Sequence, residues 1–159
     1  MQNLPAGNVD EVLERYGDML YRLCAVMLGS ACDAEDAVQE TMLKYMRKAP
    51  DFADAEHQKA WLLRVASNQC RDMLRRRKRN EAKAGENFVA PRADTGILDA
   101  LMTLPEKYRL VLVLHYVEEY GTAEIAKMIG RTPSAVKMRL KTGRELLEEA
   151  YRKECTGDE

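Results

Sequence analysis

HQKAWLLRVASNQCRDMLRRRKR, residues 57–79, is the stretch from which the fold of this chain can be predicted. Its apolar side chains recur at the three- and four-residue steps of an α-helix and form one stripe, which consists of Leu62, Val65, Ala66 and Met73. A second stripe carries one aromatic ring, one amide and three guanidinium groups, on Trp61, Arg64, Asn68, Arg71 and Arg75. An apolar stripe beside a cationic one predicts an amphipathic helix.

The cationic stripe has the chemistry of a nucleic-acid surface. Rings and guanidinium planes stack on bases, an amide reads base edges, and arginine pairs with phosphate. Residues 71–79 carry six cations against one anion, Asp72. The alternative is a solvated basic helix end, which the helix dipole favours. The ordered row of tryptophan, arginine and asparagine favours the nucleic-acid interpretation, because solubility alone needs no such order.

Composition predicts a helical, soluble protein. Hydrophobic residues make up 46% and charged residues 32% of the 159 residues, which is typical of a globular chain of one domain or two small ones. No apolar run approaches the roughly 18 residues of a membrane span. The N-terminal MQNLPAGNVDEV lacks the basic start and apolar core of a signal peptide. We therefore expect a cytoplasmic location and no direct membrane insertion.

The four cysteines, at positions 24, 32, 70 and 155, form no CxxC pair. The two histidines complete no familiar zinc spacing with them. We expect buried or idle reduced thiols, no metal ion and no cofactor.

Charge is segregated along the chain, although the net charge is only −1. Residues 33–40 carry four anions and no cation, whereas residues 127–144 carry six cations and no anion. Such segregation predicts separate faces for separate partners.

Two helices are predicted before the opening stretch. The first spans residues 9–28, with a core face of Val9, Val12, Leu13, Tyr16, Met19, Leu20 and Leu23. Asp33 suits the N-cap of the second helix, residues 34–48. The outward face of this second helix carries Asp36, Gln39, Glu40, Leu43 and Arg47. A leucine in a polar face indicates protein binding, although spacing alone leaves that open.

Residues 80–96 are predicted to be a flexible linker, because they show no helical or alternating period and contain Gly85, Pro91 and Gly96. The linker separates a domain of residues 1–79 from one of residues 97–159. Fully extended, it spans at most about 55 Å, so the two domains can bind separate DNA segments.

The second domain is predicted to begin with two helices. The first covers residues 97–104, and Pro105 then suits the first position of a buried helix that runs to about residue 119. His115 lies within this apolar segment, and we expect it to be a core or boundary residue rather than a ligand or base.

The stretch that follows, GTAEIAKMIGRTPSAVKMRLKTGRELLEEAYRK, has the pattern of a helix-turn-helix. Thr122 caps the first helix, Gly130 ends it in a left-handed turn, and Thr132 with Pro133 starts the second. The outward positions of the second helix are Ser134, Lys137, Met138, Lys141 and Thr142. The alternative is an ordinary helical hairpin with a basic outer face.

Three segments in this order resemble a bacterial extracytoplasmic-function sigma factor, the minimal sigma-70-type family with promoter-binding domains two and four only. The segments are DAEDAVQETMLKYMRK, KAWLLRVASNQCRDMLRRR and LMTLPEKYRLVLVLHYVEEYGTAEIAKMIGRTPSAVKMRLKTGRELL. The resemblance covers nearly the whole chain outside the termini and the linker, and three motifs in sequence are far more specific than a helix-turn-helix alone.

The resemblance implies a role for each surface. In the family the first segment docks on the clamp helices of the RNA polymerase β′ subunit, and the matching residues are Asp36, Gln39, Glu40, Leu43 and Lys44. The second segment recognises the melted −10 element. The matching residues are Trp61, Arg64 and Asn68, with the loop of residues 52–60 forming a pocket and Arg71, Arg75 and Arg76 on phosphates. The helix-turn-helix reads the −35 element and touches the β flap, and the matching residues are Ser134, Lys137, Met138, Lys141 and Thr142, with Arg131, Arg139 and Arg144 on the DNA backbone.

The chain departs from the family pattern in the last helix. Family members often carry a serine and an arginine at the positions of Met138 and Thr142, which implies a different −35 sequence here. Gly143 either weakens this helix, by about 1 kcal/mol relative to alanine, or permits close approach to the sugar-phosphate chain. Both interpretations stay open at this point.

The predicted function is that of a non-catalytic sigma factor, which binds core polymerase, recognises the −35 and −10 elements and promotes melting by trapping unstacked bases. Its expected partners are core polymerase, promoter DNA and an anti-sigma factor, with no small-molecule substrate. A stand-alone helix-turn-helix regulator is the alternative, but it leaves the first two segments without a task. A nucleic-acid enzyme is disfavoured, because no His, Cys or Ser constellation offers a nucleophile with a base.

Overall fold

The structure is a computed structural model and describes residues 8–84 and 96–156. These residues form seven α-helices, and no β-strand occurs among them. The chain divides between residues 89 and 90 into two compact units, here called the N-terminal unit and the C-terminal unit. The predicted fold class, all-α with two small helical domains, is confirmed.

Helix α1 (Val9–Leu28) has the bounds that its periodicity predicts. The Asn8 side chain caps it by accepting from the Asp10 N–H, and Gly29 ends it at φ 68°, a left-handed conformation that glycine adopts without steric cost. Leu13 was predicted in the core, and that prediction is wrong, because its side chain lies at the edge of the apolar stripe and is 41% exposed.

Helix α2 (Ala31–Lys48) begins three residues earlier than predicted. Its N-cap is Ser30, whose hydroxyl accepts from the Asp33 N–H at 3.3 Å. The predicted capping role of Asp33 is therefore wrong. The Asp33 carboxylate instead forms an ion pair with Arg77 of the third helix, which is a long-range contact.

Helix α3 (Ala55–Ala84) packs against both α1 and α2 and contains the opening stretch of the sequence. The Asp54 carboxylate accepts from the His57 N–H at 2.8 Å in the first turn. The predicted linker starts too early, because residues 80–84 are helical; alanine, glutamate and lysine are strong helix formers. Residues 85–95 lie outside the described ranges.

The C-terminal unit packs its last helix against the other three. Its helices are α4 (Gly96–Met102), α5 (Glu106–Leu112), α6 (Thr122–Ile129) and α7 (Pro133–Thr156). Gly96, predicted in the linker, is thus the first residue of a helix. Pro105 lies at the N-cap of α5, one position before the predicted one.

Helix α5 does not continue as an α-helix to residue 119 as predicted. It passes into a single π-helical turn, Val113–Val117, and the chain then reverses at Glu119, which has φ 63°. The His115 ring is half-buried there. Its Nδ1 lies 2.8 Å from the carbonyl oxygen of Tyr120, which can only accept a hydrogen bond, so Nδ1 is the donor. His115 is thus a boundary residue, as the sequence predicts.

The helix-turn-helix is present between α6 and α7. Gly130 ends α6 at φ 69°, and the Thr132 hydroxyl accepts from the Ala135 N–H at 3.1 Å, as predicted. The predicted cap at Thr122 is wrong. The chain is still extended at Gly121, at φ −75° and ψ 164°, and becomes helical at Thr122, which makes Gly121 the N-cap residue.

Candidate DNA- and polymerase-binding surfaces

Trp61 is half-buried and belongs to an aromatic cluster of the N-terminal unit. Its ring meets Tyr45 edge-on, with centroids 5.8 Å apart, and Phe52 at 5.9 Å. Phe52 is fully buried beneath it. The indole is therefore held in one orientation by packed rings, and only part of it is available to a ligand.

The predicted pocket of residues 52–60 is mostly helical, because α3 already begins at Ala55. His57 packs edge-on against Phe52 at 5.3 Å, and its Nδ1 accepts from the Ala53 N–H at 3.0 Å. The buried Gln58 amide donates to the Tyr45 hydroxyl at 3.0 Å. These contacts fix the first turn of α3 against Phe52 and Tyr45, the two rings that also contact Trp61.

Asn68 is exposed on α3, and Arg71, one turn further on, donates from its guanidinium to the Asn68 Oδ1 atom. A guanidinium has no acceptor, so the amide oxygen must face it. The amide NH₂ group of Asn68 is then the part that is left for a base. Arg64 is exposed one turn before Asn68, as predicted.

The basic end of α3 contains an open cleft of about 450 Å³, lined by Asp72, Arg75, Arg76 and Arg79. Arg75 pairs with Asp72 at 2.7 Å, but the Arg75 side chain is 72% and the Asp72 side chain 46% exposed. Such surface pairs contribute little, so phosphate can replace the carboxylate at small cost.

Four of the five residues that are predicted to bind polymerase lie together on the exposed side of α2. Asp36, Gln39, Glu40 and Leu43 are exposed on one side of the helix. Lys44 is half-buried instead, and its Nζ donates to the Gln69 side chain of α3 at 2.7 Å. Met46 is 64% exposed and lies three residues from Leu43. Sequence reasoning missed Met46, although the helical spacing from Leu43 could have identified it.

The outward row of α7 is exposed at Ser134, Lys137, Met138 and Lys141, whereas Thr142 is half-buried. Arg131 is exposed just before the helix. Arg139 lies on the flank of α7; burial and then the charge of Arg131 lower the pKa of its guanidinium. The helix therefore presents a row of long, solvent-facing side chains.

Gly143 faces away from this row and is buried against α5. A Cβ atom there would lie 3.3 Å from Leu112 Cδ1 and 3.5 Å from Tyr108 Cβ. The close approach that Gly143 permits is therefore between two helices, and the interpretation as close approach to DNA is wrong.

An apolar groove of about 600 Å³ crosses the C-terminal unit, and sequence reasoning missed it. Four large side chains at this groove are between 43% and 55% exposed: Ile97, Tyr116, Val117 and Tyr151. Arg144 and Glu148 also line it, and Arg144 donates to the Tyr116 hydroxyl at 3.1 Å. The π-helical turn supplies Tyr116 and Val117, so no regular helical period would have placed them together.

The cysteines that the structure describes with their side chains are free thiols: Cys24, Cys32 and Cys70. A hydrogen bond with Cys24 and burial both raise the pKa of the Cys70 thiol, which stays protonated.

Within residues 8–84 and 96–156, no cluster of His, Cys, Asp and Glu could hold a metal ion. No helix in the same ranges has the length and apolarity that a membrane span requires.

Two family models match the chain: Sigma-70 region 2 over residues 12–80, and Sigma-70, region 4, over residues 95–147. The ECF RNA polymerase sigma factor SigW of Bacillus subtilis is 28% identical in an alignment 164 positions long, which covers 89% of this chain and 88% of SigW. The ECF RNA polymerase sigma factor SigM of Mycobacterium tuberculosis is 32% identical over 146 residues, which cover 87% of this chain and 74% of SigM.

Two solved structures share the fold. The sigma factor RpoE in complex with the anti-sigma factor NepR, from Bartonella quintana, matches with a TM-score of 0.77 at 22% identity, over 90% of this chain and 96% of that chain. CnrH in complex with the cytosolic domain of CnrY matches with a TM-score of 0.63 at 24% identity, over 90% and 88%. The chain belongs to the sigma-70 class of RNA polymerase sigma factors, and within that class to the ECF family.

Proposed function

We propose that this protein binds core RNA polymerase and directs it to promoters, without catalytic activity of its own. The N-terminal unit then recognises the −10 element and the C-terminal unit the −35 element. The observation that carries the proposal is the α3 surface, where the exposed amide of Asn68 follows a tryptophan held by packed rings and precedes a basic cleft. Because its partners are polymerase and DNA, we expect it to act in the cytoplasm.

At the −10 element, a base that leaves the stack would rest beside the exposed part of Trp61. The Asn68 NH₂ group would donate to an acceptor on that base, because Arg71 already occupies the amide oxygen. Arg64, Arg75 and Arg76 would hold neighbouring phosphates. Binding only the unstacked base favours the open strand by mass action.

At the −35 element, the N-terminal half of α7 would enter the major groove. Lys137 and Lys141 would donate to base edges together with Ser134, and Met138 suits apolar contact with a thymine methyl group. Thr142 lies at the edge of this row, and Arg131 and Arg139 would contact the DNA backbone. Arg144 is hydrogen-bonded to Tyr116 at the apolar groove, so we assign it to the protein-binding side instead.

For polymerase, two surfaces are available. The α2 face of Asp36, Gln39, Glu40 and Leu43, extended by Met46, would meet the β′ clamp helices. The apolar groove of the C-terminal unit would receive the β flap. Since RpoE and CnrH were solved with an anti-sigma factor and with CnrY, we expect an inhibitory protein partner of this kind for this chain as well.

The test of the proposed function is run-off transcription with purified core polymerase over a promoter library. We expect transcription from a subset that shares −10 and −35 sequences. Glu40→Ala with Leu43→Ala should lower affinity for core polymerase while the helix content is unchanged, and Lys48→Ala, an exposed cation at the end of α2, is the matched control. A stand-alone regulator would bind duplex DNA but fail to sediment with core polymerase.

A further inference from the structure

Arg77 differs from the other cations at the end of α3. Among residues 75–80 it has the one side chain that is not exposed, with 20% of its surface accessible. The cations around it are exposed: Arg75, Arg76, Lys78 and Arg79. A charge count treats these five residues alike, whereas the structure separates Arg77 from the rest.

The Arg77 guanidinium joins the ends of two other helices. Its Nη1 donates to the carbonyl oxygen of Leu28, the last residue of α1, at 3.0 Å. Its Nη2 donates to the carboxylate of Asp33 in the first turn of α2. One side chain of α3 thus connects all three helices of the N-terminal unit.

The electrostatics of this contact are favourable on each side. The carbonyl groups at the C-terminus of α1 carry the negative end of its dipole, and the first turn of α2 stabilises the Asp33 carboxylate. A guanidinium can donate to two acceptors at once in a fixed plane, which an ammonium group cannot do in the same way. Because Asp33 is only 38% accessible and Arg77 less, salt screens the pair less than a surface pair.

We propose that Arg77 and Asp33 form a positioning bridge, which fixes the phosphate-binding end of α3 relative to the polymerase-binding face of α2. The proposal rests on the proposed function. The α2 face begins at Asp36, three residues after Asp33, and the phosphate-binding cations Arg75 and Arg76 directly precede Arg77. Once polymerase holds α2, the bridge determines where these cations meet the DNA strand, and small displacements of positioning groups have large effects.

The alternative is that Arg77 contacts phosphate like its neighbours. The two interpretations differ in what Asp33 does. If Arg77 binds phosphate, the Asp33 carboxylate competes with DNA, and its removal strengthens DNA binding. If the two residues form a bridge, removing either one weakens open-complex formation, and removing Arg77 does so at least as strongly because its contact with Leu28 is lost as well.

The experiment compares Arg77→Gln, Asp33→Asn and the double variant, each as full chain with core polymerase. We expect each single variant to lower open-complex formation on a duplex promoter by about fivefold, the factor that corresponds to ~1 kcal/mol. The double variant should lose no more than Arg77→Gln alone, because Arg77→Gln already removes the pair with Asp33 together with the contact to Leu28. Arg77→Lys should recover part of the loss.

Three further readouts separate positioning from other roles. Binding of the free protein to single-stranded −10 DNA, affinity for core polymerase and the salt dependence of DNA binding should all stay near wild type for the three variants. Arg76→Gln, the exposed neighbour, should instead weaken DNA binding and reduce the salt slope by about 1. The assays are run well below the unfolding midpoint of each variant.

The following results would overturn the bridge. Asp33→Asn at or above wild-type activity, together with a smaller salt slope for Arg77→Gln, would make Arg77 a phosphate contact. A defect that disappears on lowering the temperature would reduce the pair to a stabilising contact. Wild-type open-complex formation in both single variants would show that the Arg77–Asp33 pair has no role in this step. Failure of the proposed function itself is distinguishable, because the unmutated protein would then bind neither core polymerase nor −10 DNA.

Discussion

The rows of α3 and α7 that are proposed to bind DNA differ in how firmly their side chains are held. On α3, Trp61 is packed edge-on against two rings, and the Asn68 amide is oriented by Arg71. On α7, Lys137 and Met138 extend into solvent, and Met138 is 61% exposed. The side chains of the first row are thus held by contacts within the protein, whereas those of the second row extend from the helix into solvent.

The difference corresponds to the two forms of DNA that the rows would bind. A duplex presents its base edges in fixed positions, so a helix in the major groove can adjust long side chains to them. An unstacked base has lost its stacking free energy, and a site that still had to be ordered would add a further entropic cost. A preformed ring cluster on α3 avoids that cost.

Phe52→Ala tests whether the α3 row depends on the ring cluster, and we expect the largest effect here. Removing this fully buried ring should destabilise the N-terminal unit by about 3–5 kcal/mol, measured by thermal or denaturant unfolding. Binding to single-stranded −10 DNA should be lost with it. Met138→Ala on α7 is the control, and it should leave stability unchanged because its side chain is exposed. Unchanged −10 binding in Phe52→Ala would show that the cluster does not organise the row.

Asn68→Ala should reduce open-complex formation on a duplex promoter by about 1–3 kcal/mol, the range of a base-edge contact, and leave −35 binding and polymerase affinity unchanged. Asn68→Asp should be similarly defective, because the carboxylate still accepts from Arg71 but offers no donor to a base. Run-off transcription from duplex and pre-melted templates measures both. Full activity of Asn68→Ala on the duplex promoter would mean that this face of α3 binds DNA by charge alone and that Asn68 reads no base.

Lys137→Ala should weaken −35 duplex binding by about 1 kcal/mol and change base preference; the value lies at the lower end for a base contact because lysine is a flexible point charge. Arg131→Ala should weaken all sequences alike and flatten the salt dependence. Lys141→Ala should behave like Lys137→Ala. Titrations against a set of single-base promoter variants at two salt concentrations distinguish these classes. If Arg131→Ala changed base preference while Lys137→Ala and Lys141→Ala weakened all sequences alike, α7 would be rotated relative to the orientation proposed here.

Gly143→Ala should have the smallest effect. The gain in helix propensity, up to about 1 kcal/mol, is opposed by the 3.3 Å approach of the new Cβ to Leu112, so stability should change by less than about 1 kcal/mol. Affinity for −35 DNA should not change, because Gly143 faces α5. A loss of DNA affinity at unchanged stability would place Gly143 at the DNA instead.

Much of the fold could be predicted from local patterns. The bounds of α1, the left-handed end at Gly130 and the cap at Thr132 depend on residues only a few positions apart. The errors have local causes too. Ser30 rather than Asp33 caps α2, and a π-helical turn replaces the end of the predicted α-helix before Glu119. A π turn changes the period, so a pattern based on 3.6 residues cannot place the side chains that follow it.

Sequence by itself determined which helices form, which stripes are cationic or apolar, and the order of motifs that identifies the family. Tertiary structure alone decided what each polar side chain faces. Arg77 and Asp33 are 44 residues apart, and Lys44 and Gln69 are 25 residues apart. Helical periodicity states on which side of its own helix a residue lies, but not which helix covers that side. For this reason a run of similar arginines contains both exposed residues and one that joins three helices.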